Sequence, residues 1–331
     1  MEAIQYGLGP VGCTIVRLGF KRGLRYIGAV DCDPGKAGRD LGLAVGLGRE
    51  LGVPVTEKAE DLLARAGGVV VTHATGSLLK QVLPQLIELL AAGCTVVSTC
   101  EELSYPFWAH PEEAAVLDEA AKKHRGRLLG TGVNPGFIMD FLPLCLTLAS
   151  QEVASVKVER VVDAAGRREP LQKKVGAGLS REEFVRGVES GAIRHVGLPE
   201  SVAMLAAGLG WPLEKIDEEI EPVISSRRLS TGYVTVEPGG VAGVHQVARG
   251  YVNGGGARIV LDLKMAVGEA GVDRITVEGQ PPLTLEVTGG VHGDLATASV
   301  IVNSIAALAS LPPGLHTMLD LARARYGLLA P

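Results

Sequence analysis

The stretch Glu2–Gly12, EAIQYGLGPVG, decides the fold. EAIQY is a short strand, and the residues after Gly12, CTIVRLGFK, have the character of a helix. Between them Gly7-Leu8-Gly9-Pro10-Val11-Gly12 forms a G-x-G-x-x-G turn. In that context the first glycine permits the tight turn. The second lets the backbone approach a pyrophosphate, and the third lets helix and strand pack closely. Phosphate oxygens would then meet free N–H groups at the helix N-terminus. A second strand, RYIGAVD, closes on Asp31, nineteen residues after Gly12 (31 − 12). An acid there accepts bonds from ribose hydroxyls and repels a 2′-phosphate, which favours NAD over NADP. Lys36 and Arg39 lie close enough in sequence to contact a phosphate, so NADP stays open. A plain glycine turn with a solvated acid is the alternative, but strand, loop, helix and acid all stand in order.

Strand and helix signals alternate outward from this loop, through GGVVVTHAT, SLLKQVLPQLIELLAAG, GCTVVSTC, PEEAAVLDEAAKKH and GRLLGTG. Such alternation implies βαβ units and a parallel sheet. A helix is also expected near PGKAGRDLGLAVG. Beyond Phe137 the pattern becomes two-residue alternation with Gly-rich turns, broken by a few helices. The expected class is α/β: an N-terminal Rossmann dinucleotide-binding domain plus an α+β domain with an open, mostly antiparallel sheet. The boundaries are 1–136 joined by the C-terminal segment 298–331, and 137–297 for a substrate and dimerisation domain.

Ligands of such sheets bind beyond the carboxyl ends of the strands. That rule selects His73, Ala74 and Thr75, then Thr99 and Cys100, as cofactor contacts. Glu101 and Glu102 follow directly in STCEELSYP. Two acids at the mouth of an apolar sheet are costly unless paired or used. The loop GTGVNPGF adds Asn134, Pro135 and Phe137, and Tyr105 stands near the acids. Turn formation accounts for Asn-Pro-Gly equally well, and ordinary packing accounts for the aromatics. Cys100 reads as a small buried strand-end residue more than as a nucleophile.

The net charge is −5 and the basic residues are dispersed, so no nucleic-acid footprint exists. Five cysteines without a CxxC pair argue for reduced thiols in a cytoplasmic protein, against a disulfide framework or zinc site. No apolar run is long enough to span a bilayer.

YGLGPVG, AVDCDPGKAGRDLG, HATGS, STCEELSYP and GTGVNPGF together resemble the 2,4-diaminopentanoate dehydrogenase family, which includes native amine dehydrogenases. The likeness continues through RVVDAAGRREPLQKKVGAGLS and VNSIAALASLPPGLHTMLDL. It implies a dihydrodipicolinate reductase-like fold. It also implies NAD(P)-dependent oxidative deamination of an amine, or reductive amination of a ketone with ammonia. A glutamate of the EE pair would then hold and deprotonate the nitrogen. Glu101, nearer the strand end, is favoured over Glu102. Arg168 and Lys173 would hold a substrate carboxylate, and a solvated turn is the plainer account of them.

Two other functions compete. One is an imine or enamine reductase of the dihydrodipicolinate type, against which stand VVDAAGRREPLQKK and VGAGLS in place of that type's His-rich and PSGT-like segments. The other is a non-catalytic dinucleotide sensor. A homodimer is expected, because the open sheet should leave an apolar face for a twin to cover.

Overall fold

The computed structural model describes residues 1–63, 68–252 and 254–321. The chain forms two compact units, Met1–Phe137 with the segment from His292, and Ile138–Val291. The part of the expected C-terminal segment beyond residue 321 lies outside the described residues.

The first unit runs β1 (Glu2–Tyr6), α1 (Pro10–Lys21), β2 (Arg25–Val30), α2 (Leu41–Ala44), β3 (Val55–Thr56), α3 (Glu60–Leu63) and β4 (Val70–His73). It continues with α4 (Leu79–Ala91), β5 (Thr95–Ser98), a 3₁₀ turn (Glu101–Leu103), α5 (Pro111–His124) and β6 (Arg127–Gly130). The second unit holds α6 (Phe141–Thr147), β7 (Glu152–Asp163), α7 (Glu169–Lys174), α8 (Arg181–Glu189), α9 (Leu198–Gly208), β8 (Leu213–Ile224), β9 (Leu229–Ser230) and β10 (Thr235–Val236). Then come β11 (Val241–Val252), β12 (Ala257–Ala266), β13 (Val272–Gln280) and β14 (Leu283–Thr288). The chain returns to the first unit with α10 (Gly293–Ala309), β15 (Gly314–His316) and α11 (Met318–Leu321).

The first sheet has seven strands in the order β15-β6-β5-β4-β1-β2-β3. Every pairing in it is parallel. The order reverses between β1 and β4, the switch point where doubly wound sheets open a crevice. Successive strand residues point to opposite faces. Ile4 and Val30 therefore pack with Leu86, Leu89 and Leu117 of α4 and α5, while Ala3 and Ala29 pack with Val16 of α1. α10 lies against α1 and also meets β4, β5 and β6. The helix expected around residues 34–46 shrinks to α2. Asp40 ends it at the front by accepting N–H bonds from Gly42, Leu51 and Val53, and Gly38 adopts φ +79°.

The second sheet has the order β14-β13-β7-β12-β11-β8. It is antiparallel except at β7–β12. α9 packs on β8, β11 and β12, and α6 packs on β7 and β13. Opposite charges alternate with apolar residues such as Val247 and Val260 on the open face of this sheet. Arg274 bridges Glu159 and Glu286 at 3.0 and 2.9 Å. Next along the register are His245 with Asp262 at 2.8 Å and Arg249 with Glu219 at 3.1 Å. Cross-strand neighbours of opposite sign stabilise a half-exposed sheet face as apolar pairs would.

Inside this unit Arg160 Nη1 donates to both Asp273 carboxylate oxygens at 2.6 and 2.7 Å, with side chains 3% and 1% exposed. Arg160 also donates to the Val291 carbonyl at 2.9 Å, and the Val291 N–H donates to Asp273 at 2.7 Å. The pair thus ties down the chain where it leaves the sheet. Removing one partner strands a buried charge. Asp273→Ala is therefore expected to destabilise this unit by about 3–5 kcal/mol in denaturant unfolding, and a change below about 1 kcal/mol would show the pair to be dispensable.

Candidate functional site

The glycine loop is shaped by close approach. Gly7 adopts φ +90°, and a Cβ there would collide with the Ala74 carbonyl at the end of β4. A Cβ on Gly12 would collide with the Gly7 carbonyl. Beneath the loop, buried Gln5 donates to the Gly7 carbonyl at 2.9 Å and accepts from the Thr72 hydroxyl at 2.7 Å. This explains a fully buried glutamine in the middle of β1. Gly9 is different, because a Cβ there would meet nothing within 4 Å. It sits at the start of α1, which Pro10 opens and no side chain caps. The first-turn N–H groups of a helix have no partners within the helix. Leu8, Pro10 and Val11 complete the turn. An open glycine over an uncapped helix start fits a dinucleotide pyrophosphate.

Asp31 follows β2 and is 9% exposed. Its Oδ2 accepts the Leu8 N–H at 2.6 Å, and its Oδ1 accepts the Asp33 N–H at 2.9 Å. The acid is thereby anchored to the glycine loop. Oδ1 keeps a lone pair for a ribose hydroxyl, while Oδ2 also faces Lys36 Nζ at 3.5 Å.

At the end of β4 the His73 side chain is fully enclosed, and it braces the sheet. Its Nδ1 lies 2.8 Å from the Ser98 hydroxyl of β5. Its Nε2 lies 2.9 Å from Gln85 Oε1 and 2.9 Å from the Thr75 hydroxyl. Since Gln85 Oε1 only accepts, Nε2 carries the proton and Nδ1 accepts from Ser98. Ser98 Oγ in turn accepts the Cys100 N–H at 3.1 Å. Tyr6 stacks edge-on against the ring at 5.5 Å. Burial lowers the His73 pKa to about 4, so the ring is neutral at ordinary pH. Ala74 and the exposed Thr75 continue past it, and Thr99 and buried Cys100 follow β5. Burial, then Glu101, push the Cys100 thiol well above its ordinary value, and it donates to the Ser77 carbonyl at 3.2 Å. It is no thiolate nucleophile.

The two glutamates part company here. Glu102 accepts the Leu79 N–H at the start of α4 at 2.6 Å and lies 3.2 Å from His110 Nε2. Its own N–H donates to the Ser77 carbonyl at 3.2 Å. Glu102 therefore caps α4 and stitches the turn to it, favoured by the positive end of the helix dipole. Glu101 opens the turn and is partly buried. Ser77, Gln85, Ser98 and His110 escaped sequence reasoning. Their roles depend on partners 8 to 25 residues away, and no local spacing marks them. Tyr105 packs edge-on against Phe107 at 5.2 Å. Asn134, Pro135 and Phe137 follow β6, with the Val133 N–H donating to the Thr297 hydroxyl of α10 at 3.2 Å. All these residues gather at the carboxyl ends of the parallel strands.

Arg168 and Lys173 lie in the second unit. Arg168 stands at the start of α7, and Lys173 pairs with Glu169 at 2.8 Å with its side chain 69% exposed. Their neighbour Gln172 is buried, donating to the Ala165 and Arg167 carbonyls and accepting from Thr231. Among the described residues no cluster of His, Cys, Asp and Glu has metal-site geometry, and no helix is long and apolar enough to cross a membrane.

Residues 137–327 match the model of the 2,4-diaminopentanoate dehydrogenase C-terminal domain. The chain is 30% identical to 2,4-diaminopentanoate dehydrogenase of Acetoanaerobium sticklandii, over 97% of this chain and 93% of that protein. The chain belongs to the 2,4-diaminopentanoate dehydrogenase family. It is also 26% identical to the amine dehydrogenase of Streptomyces virginiae, over 97% and 96% of the two chains. The solved amine dehydrogenase of Mycobacterium smegmatis superimposes with a TM-score of 0.88 at 26% identity, covering 99% of this chain and 97% of that one. This member of the family thus shares both sequence and architecture with enzymes named for amines.

In the unfolded chain His73 titrates near 6.5, and in the folded protein near 4. Between those values the unfolded state binds a proton that the native state refuses, so stability falls as pH drops through the window. The loss attributable to this ring is about 3 kcal/mol. His73→Asn should flatten that portion of the stability profile between pH 7 and 4. An unchanged acid slope in the variant would mean that His73 does not set it.

Proposed function

We propose that the protein is an NAD(P)-dependent amine dehydrogenase. It deaminates an amine or a 2,4-diaminopentanoate-like amino acid oxidatively, and in reverse it aminates a ketone with ammonia. One observation carries the reading: an acidic turn, Glu101–Leu103, at the sheet edge shared with the glycine loop, in which Glu102 is committed to α4 and His110. We assign the nitrogen chemistry to Glu101, which opens that turn directly beyond the end of β5. Its carboxylate accepts an N–H of ammonia or amine and removes the proton that frees the nitrogen lone pair. In reductive amination that proton passes to the carbinolamine hydroxyl, which leaves as water, and the regenerated carboxylate stabilises the iminium cation formed on the substrate.

Gly7, Leu8, Gly9, Pro10, Val11 and Gly12 would hold the pyrophosphate, and Asp31 the adenosine ribose. Ala74, Thr75, Thr99 and Asn134 would flank the rest of the cofactor, with His73 and Cys100 holding those strand ends in place. The bound nicotinamide supplies the hydride acceptor or donor for the carbon that bears nitrogen. Tyr105, Pro135 and Phe137 would wall the substrate and exclude water, while Arg168 and Lys173 would serve a substrate that bears a carboxylate. Free cysteines support a reducing, cytoplasmic setting. We also place the protein as a homodimer, its charged sheet ladder offering both signs to a second copy. Sedimentation at micromolar concentration checks this, and a lone monomer there would exclude it.

The decisive experiment is nicotinamide oxidation with a panel of ketones in ammonium buffer, run with an ammonia-free control. Glu101→Gln should lower the ammonia-dependent rate by about a hundredfold or more while NADH still binds. Glu102→Gln should instead cost thermal stability first. Gly9→Ala should fold normally, since its methyl meets no neighbour, yet lose NADH affinity. Turnover that ignores ammonia would point to a carbonyl or enamine reductase.

A further inference from the structure

The turn after β2 holds a charge arrangement that the proposed function does not use. Lys36 Nζ lies 3.5 Å from Asp31 Oδ2 and 3.2 Å from Asp33 Oδ2. The turn is rigidly built. Asp33 Oδ1 accepts the Gly35 N–H at 2.9 Å, and the Asp33 carbonyl accepts the N–H groups of Lys36 and Ala37 at 2.9 and 3.1 Å. The Lys36 side chain is 27% exposed, so the ammonium stands partly shielded between two carboxylates. Burial opposes its charge, but Asp33 and Asp31 outweigh burial and hold Lys36 above the ordinary lysine value. The Gly35 N–H and Lys36 keep Asp33 below the usual carboxylate range.

Asp31 is the acid that would meet the adenosine ribose, so a 2′-phosphate on that ribose would arrive beside this triad. The phosphate carries a charge of about −2. Two carboxylates alone would repel it strongly, whereas the lysine cancels one of them and offers a mobile donor. A neutral ribose hydroxyl needs only Asp31, which the Leu8 and Asp33 N–H groups anchor without help from Lys36. We propose that Lys36 is the residue that sets discrimination between the two nicotinamide dinucleotides, admitting a 2′-phosphorylated cofactor by moving its ammonium from Asp31 and Asp33 onto the phosphate. Asp33 is its counterweight, holding the ammonium back when no phosphate is present. This rests on the dinucleotide reading of the glycine loop.

The test is direct binding of NADH and NADPH, followed by cofactor fluorescence and calorimetry without substrate. In the unmodified protein both dinucleotides should bind, NADH more tightly. Lys36→Ala should weaken NADPH by about tenfold or more and NADH by less than about threefold. Asp33→Asn keeps the Oδ1 acceptor for Gly35 and releases Lys36, so NADPH should tighten by about threefold or more. The NADPH affinity should also fall more steeply with salt than that of NADH, and Lys36→Ala should remove the difference. Equal weakening of both cofactors by Lys36→Ala, or no NADPH binding at all beside good NADH binding, would overturn the inference while leaving the dinucleotide site intact. Failure of both to bind would overturn the site itself, and this inference with it.

Discussion

The first unit depends on one close approach, that of the β1–α1 turn to the end of β4. There the Ala74 carbonyl occupies the space where a Gly7 side chain would stand. A backbone in the left-handed region and a neighbour at contact distance leave glycine as the residue that fits. Because the turn is this tight, α1 starts directly after β1, and no side chain caps its first turn. The reversal of strand order between β1 and β4 lies at the same point, so the crevice and the start of α1 coincide. Gln5 and Thr72 hold the turn from below, at a cost in buried polarity that their mutual hydrogen bonds offset.

Polar groups elsewhere on this edge follow the same economy. His73, Ser98, Thr75 and Gln85 form a closed network in which each donor finds an acceptor. A neutral, enclosed histidine fixes the ends of two adjacent strands without adding charge beside the site. Glu102 does for the next segment what His73 does for β4. It joins the acidic turn to α4 and leaves Glu101 held by a stitched backbone.

Much of the fold was legible from local signals. The alternation of apolar strands with helices, the position of the glycines and the acid after β2 each follow from short-range rules. β8, Leu213–Ile224, was not legible, because LEKIDEEIEPVI carries five acids among its twelve residues and lacks a clean apolar alternation. It is an edge strand whose acids face Arg249 and His245 positions of β11, so charge, not apolar alternation, makes it a strand. The charged face of the second sheet was missed for the same reason: the partners of Arg274 are 115 and 12 residues away.

The sequence by itself determined that an acid pair follows β5, that a glycine turn opens α1, and that the chain belongs among two-unit dinucleotide folds. Those features rest on residue types at fixed short spacings, where covalent geometry and local hydrogen bonding leave few options. Only the tertiary structure decided that Glu102 caps α4, that His73 is enclosed and neutral, and that Lys36 stands between Asp31 and Asp33. Hydrogen bonds and burial depend on distances between segments far apart in the chain. No local pattern encodes those distances until the sheet brings the strand ends together.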